Sequence, residues 1–114
     1  MTTIYHNPRC SKSRQTLAIL QDKGIEPEVV EYLETPPDAA TLKQLLKKLG
    51  MGPRDLMRKG EDAFKDNKLH RPELSDDQLI DYMVRYPKLI ERPIVVKGNR
   101  AVLGRPPENV LDLI

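Results

Sequence analysis

The stretch Thr2-Thr3-Ile4-Tyr5-His6-Asn7-Pro8-Arg9-Cys10-Ser11-Lys12-Ser13-Arg14 decides the fold. Thr2 to His6 is β-branched and aromatic and predicts a short strand. Pro8 biases Asn7 away from helical backbone angles, so Asn7 to Cys10 reads as a loop. A helix is predicted over Ser11–Lys23, with Leu17 and Leu20 on one face and Gly24 as its terminator. Pro27 to Tyr32, with Val29 and Val30 inside it, predicts a second strand. Strand, helix and strand joined in this way suggest a parallel pair with a crossover helix.

Further along, Thr35-Pro36-Pro37-Asp38 prepares a helix start with Asp38 as N-cap. Leu42, Leu45, Leu46 and Leu49 recur at i, i+3, i+4 and i+7, the stripe of an amphipathic helix, and Gly50 stops it. A short helix is predicted over Pro53–Lys59, stopped by Gly60. Glu61 to Leu74 is polar and carries no readable period. Ser75-Asp76-Asp77-Gln78 is a capping box that opens a helix through about Tyr86. Ile94-Val95-Val96 and Ala101-Val102-Leu103 flank Lys97-Gly98-Asn99-Arg100, the pattern of a β-hairpin. Pro107 to Leu113 predicts a last helix with proline at its start. The order predicts one α/β domain over residues 1–114. It fits a mixed sheet of thioredoxin type, with a helical insertion between the β-α-β half and the β-hairpin-α half.

Composition removes several functions. The chain has 114 residues, enough for one domain with one core. No apolar run approaches the ~18 residues of a membrane span. The N-terminus lacks the basic and apolar regions of a signal peptide, so a cytoplasmic protein is expected. Nineteen basic and seventeen acidic residues are interspersed, for a net charge of +2, and no block of like charge suggests a nucleic-acid partner. Aromatics make up only 4% of the chain, which argues against a base-stacking surface. His6 and His70 stand far apart without ligand spacing, so no metal site is expected. A monomer without a bound cofactor is the default.

Cys10 is the only cysteine. It falls where a strand has ended and a helix begins. Unsatisfied N–H groups at a helix start carry partial positive charge, which favours a thiolate and an anion beside it. Arg9, Lys12 and Arg14 add positive charge nearby. Arg14 lies one turn along the helix, from where its guanidinium could reach back to the same anion. His6 and Ser13 are further supporting candidates, His6 to activate the thiol or order the loop. A lone cysteine cannot close an internal disulfide, so an oxidised Cys10 must be resolved by an outside thiol.

The segment His6-Asn7-Pro8-Arg9-Cys10-Ser11-Lys12-Ser13-Arg14 resembles the active-site loop of the glutaredoxin-coupled arsenate reductases. The likeness continues in Tyr32-Leu33-Glu34-Thr35-Pro36-Pro37 and in Leu56-Met57-Arg58-Lys59. It recurs in Glu91-Arg92-Pro93-Ile94-Val95-Val96 and in Gly104-Arg105-Pro106-Pro107, so it spans essentially the whole chain. The resemblance implies a thioredoxin-like fold with a helical insertion. It implies Cys10 as the catalytic residue and Arg58, Arg92 and Arg105 as the arms that bind the oxyanion. Each of the three occupies a distinctive place in the sequence: Arg58 at the predicted end of a short helix, Arg92 before Pro93, where a cis peptide can form, and Arg105 between a glycine and a proline. An arginine fork suits a tetrahedral oxyanion because it donates two hydrogen bonds to neighbouring oxygens.

By the same resemblance the substrate is arsenate, with phosphate or sulfate as mimics, and the outside reductants are glutathione and a glutaredoxin. The phosphatase-like arsenate reductases carry an arginine six positions after the cysteine, where this chain has Thr16. Redox-sensing RNA polymerase regulators of the sister group often carry a Cys-x-x-Cys pair, where this chain has Ser13. Two other readings stay open: a non-catalytic thioredoxin-like regulator that binds the transcription machinery, and a glutathione-dependent thiol oxidoreductase with another substrate.

Overall fold

A computed structural model describes the whole chain, Met1–Ile114. Two compact units share it: Met1–Thr35 with Arg92–Ile114, and Pro36–Glu91.

The first unit holds the sheet. Its strands are β1 (Thr2–His6), β2 (Glu28–Glu31), β3 (Ile94–Lys97) and β4 (Arg100–Leu103), in the order β2-β1-β3-β4. β1 and β2 run parallel with Ile4 opposite Val29, and helix α1 (Ser11–Asp22) makes the crossover. β3 runs antiparallel to β1, with Ile4 opposite Val95, and pairs with β4 through a tight hairpin. Gly98 takes φ +61° at the first central position of that turn, the sign a II′ turn requires there. Ile4, Leu20, Val95, Val110 and Leu113 form the core between the sheet, α1 and the C-terminal segment. The expected mixed sheet, its parallel pair and its hairpin are all present.

The second unit is helical: α2 (Ala39–Leu49), α3 (Pro53–Leu56), α4 (Asp62–Asp66) and α5 (Asp76–Arg85). Asp38 caps α2 by accepting from the Thr41 amide at 2.8 Å, and Gly50 ends it in the left-handed region at φ +71°. The capping box closes at α5: Gln78 N–H donates to Ser75 Oγ at 3.2 Å and Ser75 N–H to Gln78 Oε1 at 2.8 Å. Leu42, Leu45 and Leu46 of α2 and Leu79, Ile80 and Met83 of α5 are buried. No helix of the chain is long and apolar enough to cross a membrane.

Three expectations need correction. The helix at Pro53 stops at Leu56 rather than Lys59, and Gly60 is not its terminator. Met57 is extended (φ −81°, ψ 139°) and forms an antiparallel bridge with Ile90. Arg58 N–H donates to Leu89 O at 2.7 Å and Glu91 N–H to Leu56 O at 2.8 Å. Those bonds displace the last helical turn, and Arg58 follows the bridge instead of ending a helix. The polar stretch after it contains α4, anchored by buried Phe64. The C-terminal helix is a 3-10 segment over Pro107–Asp112 rather than an α-helix to Leu113. Pro106 and Pro107 supply no amide hydrogens, and the bonds that form close i to i−3: Asn109 N–H to Pro106 O and Leu113 N–H to Val110 O, both 3.0 Å. Both Arg92–Pro93 and Arg105–Pro106 are cis.

Candidate functional site

The site is built on the loop between β1 and α1. β1 ends on buried His6, whose Nδ1 lies 2.6 Å from Oγ of fully buried Ser13. The same hydroxyl accepts the Asn7 N–H at 3.0 Å. One serine oxygen therefore links the imidazole and the Asn7 amide. Burial presses the His6 pKa below its ordinary value, with Glu31 pulling it up and Arg14 pulling it down. His6 is thus tied by a hydrogen bond to Ser13 in the first turn of α1.

The loop itself is closed from within. Cys10 N–H donates to Asn7 O and Arg9 N–H to Asn7 Oδ1, both at 3.0 Å. Arg14 Nη1 donates to Pro8 O at 3.0 Å. Arg14 thus braces the loop through a carbonyl. The reason is local: Pro8 O faces the first turn of α1 and needs a donor.

Cys10 is the N-cap of α1, extended at φ −93° and ψ 123°, and half-buried. Burial pushes its thiol pKa up. The Ser13 N–H, the Arg92 guanidinium by hydrogen bond and by charge, and the Lys12 N–H pull it down, and the result lies below the ordinary value. The helix-start argument from sequence holds, and Arg92 adds to it.

Arg92 stands just ahead of β3 and Arg105 just after β4, so the hairpin brings them to one end of the sheet. Arg105 Nη1 reaches the Arg92 carbonyl at 3.4 Å and approaches Cys10 Sγ at 4.0 Å. Arg92 Nε is buried with no acceptor in the protein. A buried donor of this kind favours an oxygen acceptor beside it. Cys10, Arg92 and Arg105 are therefore together.

Two residues that sequence reasoning missed make the approach possible. Gly104 N–H donates to Pro93 O at 2.9 Å, and a Cβ on Gly104 would overlap Thr16 Oγ1 and lie 2.7 Å from Pro93 Cγ. Thr16, fully buried, donates its hydroxyl to Lys12 O at 2.8 Å and lies 3.4 Å from Gly104 O. The position six after the cysteine is thus used for packing. Its only signal in the sequence is the glycine that opens Gly104-Arg105-Pro106-Pro107.

Arg58 belongs to the helical unit. There its Nη1 pairs with Glu91 Oε1 at 2.9 Å and its Nε with Glu61 Oε2 at 3.4 Å. Neither carboxylate was singled out in the sequence, where both pass for ordinary surface acids.

A thiol held toward its anionic form, next to arginine donors, can attack an electrophilic oxyanion and balance its charge. Known proteins resemble this chain over nearly its whole length. The uncharacterized protein YfgD of Escherichia coli strain K12 is 60% identical over 112 residues, covering 97% of this chain and 94% of its own. An arsenate reductase of Neisseria meningitidis is 47% identical over 108 residues, covering 94% and 92%. Among solved structures, an arsenate reductase from Vibrio cholerae superposes with a TM-score of 0.97 at 51% identity, covering 99% of this chain and 97% of that one. The architecture is the thioredoxin-like one expected from the sequence. Residues 5–113 match the model of the ArsC family, and the chain belongs to that family.

Proposed function

We propose that this protein reduces arsenate to arsenite with Cys10 as nucleophile. The observation that carries the reading is the placement of the Cys10 sulfur at the start of α1 beside Arg92 and Arg105. The names of the Neisseria and Vibrio relatives support arsenate as the substrate. Arsenate binds to Arg92 and Arg105 beside the Cys10 sulfur. The Cys10 thiolate attacks arsenic, an As–S bond forms, and one oxygen leaves as water after protonation. A glutathione thiolate then attacks the Cys10 sulfur. The S–S bond forms as the As–S bond breaks, and its electron pair stays on arsenic, which falls from +5 to +3. A glutaredoxin reduces the mixed disulfide, because the chain has no second cysteine to do so. Phosphate and sulfate bind as competitors and do not turn over.

The test is arsenate reduction coupled to glutathione and glutaredoxin, with Cys10→Ser beside the wild type. Wild-type turnover that vanishes in the variant is expected. Undiminished turnover by Cys10→Ser ends the proposal.

A further inference from the structure

We infer that a cavity beside the Cys10 loop seats the small thiol peptide that resolves Cys10, holding its free amino-acid end between Arg9 and the carboxylates of Glu31 and Glu34. The inference rests on the reading that an outside thiol resolves Cys10, and it adds where that thiol docks.

The cavity has a volume of about 240 Å³, and every residue lining it belongs to the sheet unit. His6, Pro8 and Arg9 line it from the end of β1 and the loop that follows. Glu31, Leu33 and Glu34 line it from the end of β2 and the turn after it. Both segments are held by bonds of their own. Arg9 N–H donates to Asn7 Oδ1 at 3.0 Å, and His6 Nδ1 lies 2.6 Å from Ser13 Oγ. Glu31 O accepts the Glu34 and Thr35 amides, both at 2.9 Å. A cavity framed in this way needs little ordering when a ligand enters.

Its volume falls below the ~300 Å³ at which pockets for whole drug-sized ligands begin, so it suits one end of a small peptide. Its charges say which end. Arg9, Glu31 and Glu34 are exposed, and no salt bridge within the chain uses them. His6, Glu31 and Glu34 do not converge into a metal-binding group, which leaves an organic cation as the partner for the carboxylates. A free amino-acid end carries an ammonium and a carboxylate on one carbon. The carboxylate suits the Arg9 fork, and the ammonium suits Glu31 and Glu34. Leu33, 38% exposed, offers apolar surface to methylenes between that end and the thiol. Glutathione has this constitution: an amino-acid end joined through methylenes and an amide to a cysteine.

Arg9 links the cavity to the chemistry. Neighbouring Cα atoms are ~3.8 Å apart, so an anchor at Arg9 is one residue from the nucleophile. In the resolving step the docked thiol loses its proton to water and its sulfur bonds to the Cys10 sulfur. The As–S bond breaks, and its electron pair stays on arsenic.

The experiment titrates the reduced protein with S-methylglutathione, whose blocked sulfur cannot react, and follows the backbone amides by NMR. Saturable shifts at Arg9, Leu33 and Glu34 are expected. Glu34→Gln should weaken binding about threefold and Glu31→Gln/Glu34→Gln about tenfold, the scale of exposed ion pairs. The ligand has two carboxylates and one ammonium, so a general charge effect would tighten binding in both variants. Acetylating the ligand's amine should weaken its binding to wild type and make it indifferent to Glu34→Gln. No saturable shifts, shifts confined to other residues, or unchanged or tighter binding in the double variant would overturn the inference. These outcomes are separate from arsenate turnover. Turnover that depends on Cys10, with no shifts at the cavity, removes the docking site alone. Shifts at the cavity without arsenate turnover keep the docking site and remove the substrate.

Discussion

Ser13 Oγ stands 2.6 Å from His6 Nδ1, so one buried hydroxyl ties the end of β1 to the first turn of α1. It also accepts the Asn7 amide. Ser13→Ala would leave two buried polar groups without their partner, a cost of about 1–3 kcal/mol. We expect a fall in melting temperature of at least about 4 °C by calorimetry. We also expect a slower reaction of Cys10 with iodoacetamide, because the Ser13 N–H is then less well aimed at the sulfur. A variant as stable and as reactive as wild type would mean that the loop holds its shape without this bond.

The two arginines near the thiol should not be equivalent. Arg92 lowers the thiol pKa by hydrogen bonding and by charge, and Arg105 Nη1 stands 4.0 Å from the sulfur. Alkylation followed against pH should give a wild-type midpoint below that of an ordinary cysteine. Arg92→Ala should raise it, and Arg105→Ala should raise it less. The reverse order would show that Arg105 is the main partner of the thiolate.

Gly104 has no room for a side chain. Gly104→Ala would drive a methyl into Thr16 and Pro93. The expected loss is about 1–3 kcal/mol in urea unfolding, typical of an overfilled core. The Gly104→Ala/Thr16→Ser pair should recover only part of it, since Pro93 remains. An unaffected unfolding midpoint would show that the Gly104 loop can withdraw.

His6 makes the fold sensitive to mild acid. Burial, the largest influence, holds its pKa in the folded chain below the ordinary 6.5. The unfolded chain therefore takes up a proton first as pH falls, and stability declines. The contribution is complete above about pH 6.5 and is lost as pH falls from there toward the folded pKa. Urea midpoints measured from pH 7.5 to 5 should fall across this window, and the fall should shrink in His6→Asn. A profile identical in the two proteins would remove His6 as its source.

Local chemistry explains what the sequence disclosed. The β-branched run of β1, the Asp38 cap, the Ser75–Gln78 box, Gly50 and the turn at Gly98 each act within a few residues, and each lies where the sequence puts it. The failures have distant causes. α3 ends early because Met57 meets Ile90, thirty-three positions further on. The thiol could be read from its place at the helix start. The grouping of Arg92 and Arg105 beside it came only from the likeness to a known family. The carboxylates on Arg58 and the contact of Gly104 with Thr16 were legible in neither way, since nothing in an isolated glutamate or glycine states what it will touch.

Arg105, which approaches Cys10, is 95 residues further along the chain. A chain still emerging from the ribosome therefore carries this cysteine long before its cationic neighbours exist. Without them and without α1 the sulfur is an ordinary thiol, mostly protonated at neutral pH and slow to react. The lowered thiol pKa belongs to the folded arrangement, in which the Ser13 and Lys12 amides and Arg92 act on the sulfur. In a mixed population the amplitude of the fast phase of Cys10 labelling should accordingly count the chains that have folded.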